Sequence, residues 1–404
     1  MNVSVSKGKA KGTVSAPPSK SYSHRMMICA ALSDGTSVLK GFSESQDMLA
    51  TLDCVQELGA EYKVEGDVIT IKGLFSNSAN KGKPASLPAF KCRESGSTLR
   101  FMIPIALAVK ECGEFFGTER LIERGIPVYE ELFANKGVKI EKVTSSIKID
   151  GKMRPETYEL SGNVSSQFIS GLMFALPLLE GDSLIRITTP IESGSYIQMT
   201  IDVLKTFGIT IEKSGDREFL IKGNQKYQAR KMDIEGDWSN AAPFFALGVD
   251  VTGLDYNSAQ GDKVCVELIK SLRETPEKVI DISDCPDLGP ILFAVAASEN
   301  GGTFTGTARL RIKESDRANA MKDELAKYGI QVDVLDNSVI VHKGELKTPS
   351  EILSSHNDHR MVMSLCYLSS FTGGVIEQAE SINKSFPDFF DKLRSLGLEI
   401  NDAV

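Results

Sequence analysis

Five short stretches of the chain share one pattern, in which a glycine separates an apolar helical segment from alternating apolar and polar residues. Glycine is the residue that most readily ends a helix in the left-handed conformation, and the alternation after it is typical of a strand with one buried face. We therefore predict a helix that ends at each glycine and a strand that follows it. The stretches are Leu58–Tyr62, Lys136–Ile140, Phe207–Ile211, Tyr328–Val332 and Leu396–Ile400.

These glycines are spaced 78, 71, 121 and 68 residues apart along the chain. The spacing of 121 residues predicts one degenerate copy, near Leu268–Leu272, that lacks a capping glycine. Six copies in 404 residues give a period of about 67, which exceeds the roughly 20–50 residues of a solenoid repeat. Each copy is therefore expected to be a compact α/β module, and the chain is long enough for two or three domains.

Composition narrows the classes of function. The chain has 46 Lys and Arg against 54 Asp and Glu, for a formal net charge of −8. That balance argues against binding nucleic acid or an anionic membrane through the overall field, so an anionic ligand would need a local group of cations. The longest apolar runs, Phe101–Val109 and Leu172–Leu179, each contain a proline and are far shorter than the ~20 residues of a membrane span.

The N-terminal residues lack the apolar segment of a signal peptide. The seven cysteines are scattered and include no Cys-x-x-Cys pair. An odd number of scattered cysteines is typical of a reducing compartment and predicts neither a disulfide framework nor a zinc site. We therefore expect a cytoplasmic protein.

Polar clusters precede six apolar helical segments. Their Ser, Asp and Asn residues are the usual helix caps. Capping does not explain Lys20, Arg25, Arg100 and Arg360, because a cation in the first turn opposes the helix dipole by about 0.3–1 kcal/mol. An anion bound at the same helix start would compensate for this, so several such starts predict a site for a polyanionic small molecule. The clusters lie at residues 19–25, 93–100, 163–167, 235–239, 284–287 and 356–360.

Seven motifs give the chain a specific resemblance over about residues 13 to 390. They are Pro18–Arg25, Gly96–Arg100, Gly117–Arg124, Ser165–Phe168, Lys313–Arg317, Asn357–Met361 and Lys384–Asp388. In this order they resemble the family of 5-enolpyruvylshikimate-3-phosphate synthases. The resemblance implies a two-lobed α/β fold, with three copies of a βαβαββ unit in each lobe and the active site in the interlobe cleft. It also implies that residues 1–19 and 236–404 form one lobe and residues 20–235 the other.

The resemblance further implies transfer of the enolpyruvyl group of phosphoenolpyruvate to the 5-hydroxyl of shikimate 3-phosphate, without metal or organic cofactor. Each substrate carries a phosphate and a carboxylate, so cations must offset their repulsion, and Arg suits the capture of either group. By the family pattern, the residues that face shikimate 3-phosphate are Lys20, Ser21, Arg25, Ser165, Ser166, Gln167, Ser193, Tyr196, Asp287 and Lys313. Those that face phosphoenolpyruvate are Lys20, Gly96, Arg124, Gln167, Arg317, Arg360 and Lys384.

The same resemblance suggests roles for the groups that move protons. Asp287 is the candidate base that deprotonates the 5-hydroxyl. Glu314 is the candidate acid, and later base, at the methylene carbon, with a pKa tuned by neighbouring cations. Lys20 and Lys384 are candidate proton donors or stabilisers of the departing phosphate.

The chain departs from the family pattern in two places, the glycine loop and Arg309. In the glycine loop, Ser97 keeps a hydroxyl, whereas Phe101 is bulkier than the usual proline. Five positions of that loop differ, namely Glu94, Ser95, Ser97, Thr98 and Phe101. Arg309 stands where an asparagine is common, which keeps a donor and adds a charge.

Two other functions stay open at this point. A sister enolpyruvyl transferase acts on UDP-N-acetylglucosamine through a cysteine in a mobile loop, and Cys112 lies at a similar distance from the start without the surrounding pattern. A noncatalytic polyanion-binding module would gain nothing from Asp287 and Glu314. A metal site at His356 and His359 is disfavoured by the low histidine count of four. Because the implied cleft is complete within one chain, we expect a monomer that binds small molecules.

Overall fold

The computed structural model describes residues 1–76 and 84–403, and it divides into two compact units. Unit 1 comprises Met1–Pro17 and Gly236–Val404, and unit 2 comprises Pro18–Glu235. Unit 2 begins two residues earlier than the family pattern implies, because Ser19 accepts a hydrogen bond from the Tyr22 amide and caps the first helix of that unit. Every helix in the described part of the chain is too short or too polar to span a bilayer.

The helices follow the apolar segments expected from the sequence. In chain order they are α1 (Lys20–Ala31), α2 (Gln46–Leu58), α3 (Gly96–Val109), α4 (Glu119–Arg124), α5 (Pro127–Phe133), α6 (Ser166–Ala175), α7 (Gly194–Thr206), α8 (Trp238–Leu247), α9 (Cys265–Glu274), α10 (Gly289–Ser298), α11 (Arg317–Lys327), α12 (His359–Thr372) and α13 (Phe389–Ser395).

The strands are short and lie between these helices. They are β1 (Asn2–Val5), β2 (Thr13–Ser15), β3 (Ser33–Asp34), β4 (Thr36–Lys40), β5 (Glu61–Glu65), β6 (Val68–Lys72), β7 (Ala89–Arg93), β8 (Cys112–Gly117), β9 (Lys139–Val143), β10 (Ser146–Asp150), β11 (Thr157–Leu160), β12 (Ser183–Ile187), β13 (Ile211–Lys213), β14 (Glu218–Ile221), β15 (Tyr227–Gln228), β16 (Lys231–Asp233), β17 (Asp250–Thr252), β18 (Val279–Asp281), β19 (Gly302–Thr305), β20 (Val332–Val334), β21 (Ser338–Val341), β22 (Leu353–Ser354), β23 (Gly374–Glu377) and β24 (Ile400–Ala403).

Five four-stranded sheets in the described residues share one topology. In each sheet an edge strand is parallel to its neighbour and an antiparallel pair completes the sheet. Three of the sheets have the chain order first, second, fourth, third, whereas β16 and β1 join their sheets from distant parts of the chain. In a representative sheet, β7 runs parallel to β8, β8 pairs with β10, and β10 pairs with β9. In unit 1 the N-terminal strand β1 supplies the fourth strand of the sheet formed by β22, β23 and β24. The predicted βαβαββ module is therefore the building unit of this fold.

The glycines predicted to end helices adopt the left-handed conformation. Gly59, Gly137, Gly208, Gly329 and Gly397 have φ values of 111°, 71°, 86°, 81° and 89°. The strands β5, β9, β13, β20 and β24 begin two or three residues after them. The prediction of a helix end and a following strand is confirmed at Gly59, Gly208, Gly329 and Gly397. At Gly137 only the strand is as predicted, because α5 ends at Phe133 and a turn separates it from the glycine.

The degenerate sixth copy contains helices without a strand pair. Its second helix, α9, ends at Thr275 in an extended conformation rather than at a glycine. The strand after it, β18, pairs with β19 in the next sheet, and β17 forms a two-stranded parallel sheet with β2. This copy lacks a helix that leads through a glycine into a strand pair. The spacing of 121 residues between successive glycines therefore falls here.

Candidate active site

In unit 1, the candidate catalytic residues follow two parallel strands. Because β18 and β19 are parallel neighbours, their carboxyl ends meet at one edge of the sheet. Asp287 follows β18 in the short helical turn Pro286–Leu288, and Lys313 and Glu314 follow β19 after the turn Ala308–Ile312. Lys313 Nζ consequently lies 2.9 Å from Asp287 Oδ1.

Arg317, the first residue of α11, holds three carboxylates together. Its Nη1 donates to Asp287 at 2.8 Å, its Nη2 to Glu314 at 2.9 Å and its Nε to Asp358 at 2.8 Å. Burial disfavours the charge on its almost inaccessible side chain, but the three carboxylates outweigh burial and raise the pKa of Arg317 above its ordinary value. The guanidinium is therefore a fixed positive charge that orients these acids.

The acids of this cluster differ in their access to solvent. The side chains of Asp287 and Glu314 are 21% and 19% exposed, whereas that of Asp358 is fully buried. Burial would raise the pKa of Asp358, but Arg317 and the neighbouring histidine hold it below its ordinary value. Burial also lowers the pKa of Lys313, against the attraction of Asp287. The two accessible carboxylates are therefore the ones that a ligand could reach.

Arg360 is fixed by the start of another helix. The Asp358 carboxylate caps α12 by accepting the Arg360 backbone N–H at 2.9 Å. The Arg360 side chain donates to Asn240 Oδ1 at 2.9 Å and to Ser239 Oγ at 2.6 Å, and its Nη2 lies 3.9 Å from Asp287 Oδ2. Sequence analysis noted the polar cluster that precedes α8 but missed Asn240. The signal was present, since Asp237 and Ser239 in that cluster belong to the same network.

Two further cations of unit 1 donate to main-chain carbonyls. Lys384 is buried, and its Nζ lies 2.5 Å from the carbonyl oxygen of Asn357, the residue before Asp358. Arg309 is also buried and donates to the carbonyl oxygen of Ser283. Lys384 is thus joined to the loop that leads into α12, whereas Arg309 is joined to the loop after β18.

In unit 2, the guanidinium of Arg25 in α1 is held by neutral acceptors. Nε donates to Thr200 Oγ1 at 2.7 Å, Nη1 to the Ser21 carbonyl at 2.8 Å and Nη2 to the Tyr196 carbonyl at 3.1 Å. Burial lowers the pKa of Arg25 to about 10, with small opposing effects from neighbouring groups. This buried charge would be stabilised by an anion. These contacts bring Ser21, Arg25 and Tyr196 together.

Lys20, at the first position of α1, pairs with a carboxylate of α2. Its Nζ lies 3.1 Å from Asp47 Oδ2, and both side chains are largely buried. Lys20 therefore faces α2, whereas Arg25, five residues later, faces α7. The sequence offered no signal for Asp47 as the partner.

A third group in unit 2 surrounds the start of α3. Arg100 Nη1 donates to Gln167 Oε1 at 2.6 Å, and Gln167 Nε2 donates to Ser97 Oγ at 2.8 Å. A Cβ at Gly96 would lie 3.2 Å from Arg124 Nη2 and 3.4 Å from Arg100 Nη1. Gly96 therefore leaves room for two guanidinium groups to approach one helix start, as an anion-binding site requires.

The remaining predicted serines lie at helix starts in unit 2. Ser165 caps α6 and accepts the Gln167 amide at 3.3 Å, and Ser166 is the buried first residue of that helix. Ser193 is buried before α7 with a left-handed φ of 56°, three residues before Tyr196. Ser165 and Ser166 thus accompany Gln167, and Ser193 accompanies Tyr196.

A buried chain of hydroxyl groups links three helices of unit 2. His24 Nδ1 lies 2.7 Å from Thr51 Oγ1, which lies 2.8 Å from Thr98 Oγ1, which donates to Ser95 Oγ at 2.8 Å. Burial, with Lys20 and then Arg25 adding repulsion, lowers the pKa of His24 well below its ordinary value. This neutral imidazole therefore joins α1 and α2 to the cap of α3, a role that sequence analysis missed.

The residues considered for other functions lie elsewhere. Cys112 is buried at the first position of β8, opposite Asp150, rather than in a loop. His356 pairs with the buried Glu324, and His359 is buried in α12. Across residues 1–76 and 84–403, no group of three or more His, Cys, Asp and Glu side chains is arranged to hold a metal ion.

Comparison with known proteins gives a consistent result. The family model for EPSP synthase (3-phosphoshikimate 1-carboxyvinyltransferase) matches residues 5–393. A 3-phosphoshikimate 1-carboxyvinyltransferase of Clostridium kluyveri is 41% identical over 99% of this chain and 98% of its own length. The enzyme of that name from Clostridium perfringens is 40% identical over 98% of each chain. In fold, the chain is similar to the EPSP synthase structure from Acinetobacter baumannii, with a TM-score of 0.78, 24% identity and coverage of 99% and 100% of the two chains.

Proposed function

The chain belongs to the EPSP synthase family, and from that premise we propose that it transfers the enolpyruvyl group of phosphoenolpyruvate to the 5-hydroxyl of shikimate 3-phosphate and releases phosphate. This is the 3-phosphoshikimate 1-carboxyvinyltransferase step of the shikimate pathway, which leads to the aromatic amino acids. The observation that carries the proposal is the pair of accessible carboxylates, Asp287 and Glu314, held by Lys313 and Arg317.

We assign the binding of shikimate 3-phosphate mainly to unit 2. Its support is the buried Arg25, which donates to three neutral oxygens and lies over the Phe101 and Tyr196 rings, with no carboxylate among these contacts. A phosphate or carboxylate near Arg25 would supply the missing negative charge through charge-assisted hydrogen bonds. The other residues assigned to this substrate are Lys20, Ser21, Ser165, Ser166, Gln167, Ser193 and Tyr196, with Asp287 and Lys313 from unit 1.

Phosphoenolpyruvate is assigned to cations of both units. Arg124 approaches the start of α3 at Gly96, where helix N–H groups favour an anion. Arg360 and Lys384 are oriented by the loop and helix starts of unit 1. Arg317 is assigned to this substrate by the family pattern alone, because its side chain is 1% exposed and is already held by three carboxylates. Lys20 and Gln167 are assigned to both substrates.

The proposed chemistry is an addition followed by an elimination. Asp287 takes the proton of the 5-hydroxyl as the hydroxyl oxygen bonds to the enol carbon, while the electron pair of the double bond takes a proton at the methylene from Glu314, which enters the cycle in its acid form. Glu314 then removes a methyl proton and returns to its acid form as the double bond re-forms and the carbon–oxygen bond to phosphate breaks. The departing phosphate takes the proton held by Asp287, which restores the base. Lys20 and Lys384 stabilise the negative charge on the departing phosphate.

A phosphate-release assay with purified protein tests this function. We expect phosphate release only when phosphoenolpyruvate and shikimate 3-phosphate are both present, and a new enolpyruvyl ether in the product. Release with UDP-N-acetylglucosamine in place of shikimate 3-phosphate would assign the chain to the sister reaction. Tight binding of both substrates without turnover would instead indicate a noncatalytic polyanion-binding module.

We also propose that the protein is a cytoplasmic monomer that binds neither nucleic acid nor membranes. The net charge of −8 supports the absence of nucleic-acid binding. Sedimentation equilibrium tests the oligomeric state, and a mass of twice 44.0 kDa would contradict a monomer. Fractionation of the source cells tests the location.

A further inference from the structure

The loop that leads into α12 has an unusual backbone. His356 and Asn357 have φ values of 49° and 52°, two consecutive left-handed residues that are not glycine. Such conformations are costly for side chains with a Cβ, and they persist only where surrounding contacts fix them. The loop, residues 354–358, therefore needs an anchor.

Glu324 supplies that anchor from the neighbouring helix α11. Its carboxylate is 2% exposed. Oε2 accepts the backbone N–H of Ser354 at 2.9 Å, and Oε1 lies 3.1 Å from His356 Nε2. Lys327 Nζ lies 3.0 Å from both oxygens and donates to the carbonyl of Ile352 at 2.9 Å. Glu324 and Lys327 thus fix the chain on both sides of the loop entrance.

Serine side chains complete the fixation of the loop. Ser354 Oγ accepts the His356 amide at 3.2 Å, and Ser355 Oγ accepts the Asn357 amide at 3.2 Å. The Asp358 amide donates to the Ser355 carbonyl at 2.9 Å. Ser355 Oγ also donates to the Gln378 carbonyl at 3.0 Å, so the residues after β23 hold the loop as well. The hydrogen bond from Ser354 to the Glu324 carboxylate fixes the entrance of the loop on the side of α11.

The loop presents two groups to the cations of unit 1. The carbonyl of Asn357 accepts Lys384 Nζ at 2.5 Å. The carboxylate of Asp358 accepts Arg317 Nε at 2.8 Å and caps the helix that carries Arg360. A shift of the loop would therefore displace the cations of unit 1 that are assigned to phosphoenolpyruvate.

We infer that Glu324 is a positioning residue for the binding of phosphoenolpyruvate. Glu324 acts on Lys384 and Arg317 through the 354–358 loop. This inference rests on the proposed function. Glu324 itself is buried and contacts no group that we assign to a substrate. Its carboxylate helps to hold the strained backbone that places the Asn357 carbonyl against Lys384.

The kinetic test compares Glu324→Gln with Asp323→Asn, the exposed acid one residue earlier on the same helix. Loss of the charge-assisted contacts should raise the KM for phosphoenolpyruvate about tenfold, with the KM for shikimate 3-phosphate within about twofold. Asp323→Asn should leave both values unchanged. Equal increases for both substrates, or none, would overturn the inference.

A second variant tests the route of the effect. If Glu324 acts through Lys384, then Glu324→Gln should add little to the KM increase caused by Lys384→Met alone, because both changes break one chain of contacts. Full multiplication of the two effects would contradict this route.

His356→Ala removes one contact of the anchor without burying an unpaired charge. It should therefore raise the KM for phosphoenolpyruvate by a smaller factor, about threefold. This variant keeps the test valid if Glu324→Gln does not fold.

Amide hydrogen exchange separates this inference from the proposed function. In Glu324→Gln, exchange at residues 354–358 should accelerate by about tenfold or more, while the helix amides of α12 and unit 2 stay unchanged. Unchanged exchange in the loop would overturn the anchoring role even in an active enzyme. Accelerated loop exchange in Glu324→Gln, together with no phosphate release by the wild-type protein, would support the anchoring role of Glu324 and overturn the proposed function.

Discussion

Two buried arginines, one in each unit, show opposite ways of keeping a guanidinium away from water. Arg25 donates to a threonine hydroxyl and two carbonyls, and burial lowers its pKa to about 10. Arg317 donates to three carboxylates, which raise its pKa above the ordinary value despite complete burial. The same residue type is thus short of negative charge in unit 2 and surrounded by it in unit 1.

The difference indicates a division of labour. A buried cation that faces only neutral dipoles gains most from an anionic ligand, so the Arg25 region is suited to binding. A cation that holds several carboxylates contributes little net positive charge but fixes acids in place, so the Arg317 region is suited to proton transfer. Helix starts with a cation exist in both units, and what separates them is the charge of the partners.

The largest expected effect comes from removing a carboxylate of unit 1. Asp287→Asn should lower kcat by about 10²–10⁴, because general acid–base catalysis contributes that much and an amide cannot take the hydroxyl proton. Steady-state kinetics by phosphate release measures it. Glu314→Gln should have an effect of the same order.

The matched control for this prediction is Asp284→Asn, an exposed acid three residues earlier. It should keep the wild-type rate. Near-normal turnover in Asp287→Asn or Glu314→Gln would remove that residue from the mechanism and weaken the division between the two units.

The next effect concerns stability and contrasts the two arginines directly. Arg317→Met should lower the free energy of unfolding by about 3–5 kcal/mol, because it removes the guanidinium that pairs with the fully buried Asp358. Arg25→Met removes a charge that burial disfavours, so the change should stay within about 1.5 kcal/mol. Urea denaturation of both variants gives the comparison, and equal losses would contradict it.

The main effect of Arg25→Met should instead be a lower affinity for shikimate 3-phosphate. We expect the Kd for shikimate 3-phosphate to rise about 10–100-fold, since two or more charge-assisted hydrogen bonds to an anion are lost. Arg25→Lys should recover only part of this loss, because a lysine lacks the planar fork. Calorimetric titration of shikimate 3-phosphate measures both, and wild-type affinity in Arg25→Met would show that the anion binds elsewhere.

The sequence predicted features that depend on neighbours along the chain. The helix-ending glycines, such as Gly59 and Gly397, were confirmed because a left-handed cap is a local property. The family inferred from seven motifs and its α/β fold are confirmed as well. The roles of individual site residues stay predictions.

Partners that are distant in sequence could not be predicted. Arg25 meets Thr200 across 175 residues, and Arg360 meets Asn240 across 120. Thr200 and Asn240 are ordinary polar residues within helices, and only the packing of those helices makes them acceptors for a guanidinium. The degenerate copy was likewise indicated only by the 121 residues between Gly208 and Gly329. The sequence pattern did not show that this copy lacks a strand pair.

The smallest expected effect is a pH dependence of stability that belongs to unit 2. Burial, and then the charges of Lys20 and Arg25, lower the pKa of His24 well below its ordinary value of 6.5. Below pH 6.5 the unfolded chain therefore takes up a proton at His24 that the folded chain does not, which stabilises the unfolded state. The free energy of unfolding should fall with decreasing pH by up to about 1.4 kcal/mol per pH unit from this residue.

His24→Asn should remove this slope while its amide keeps the hydrogen bond to Thr51. Urea denaturation between about pH 7 and pH 5 measures the slope, since that range spans the ordinary pKa of histidine. Retention of the full slope in His24→Asn would place the titrating group elsewhere. Its loss would show that the neighbourhood of Arg25 excludes a further positive charge, as a region already short of negative charge must.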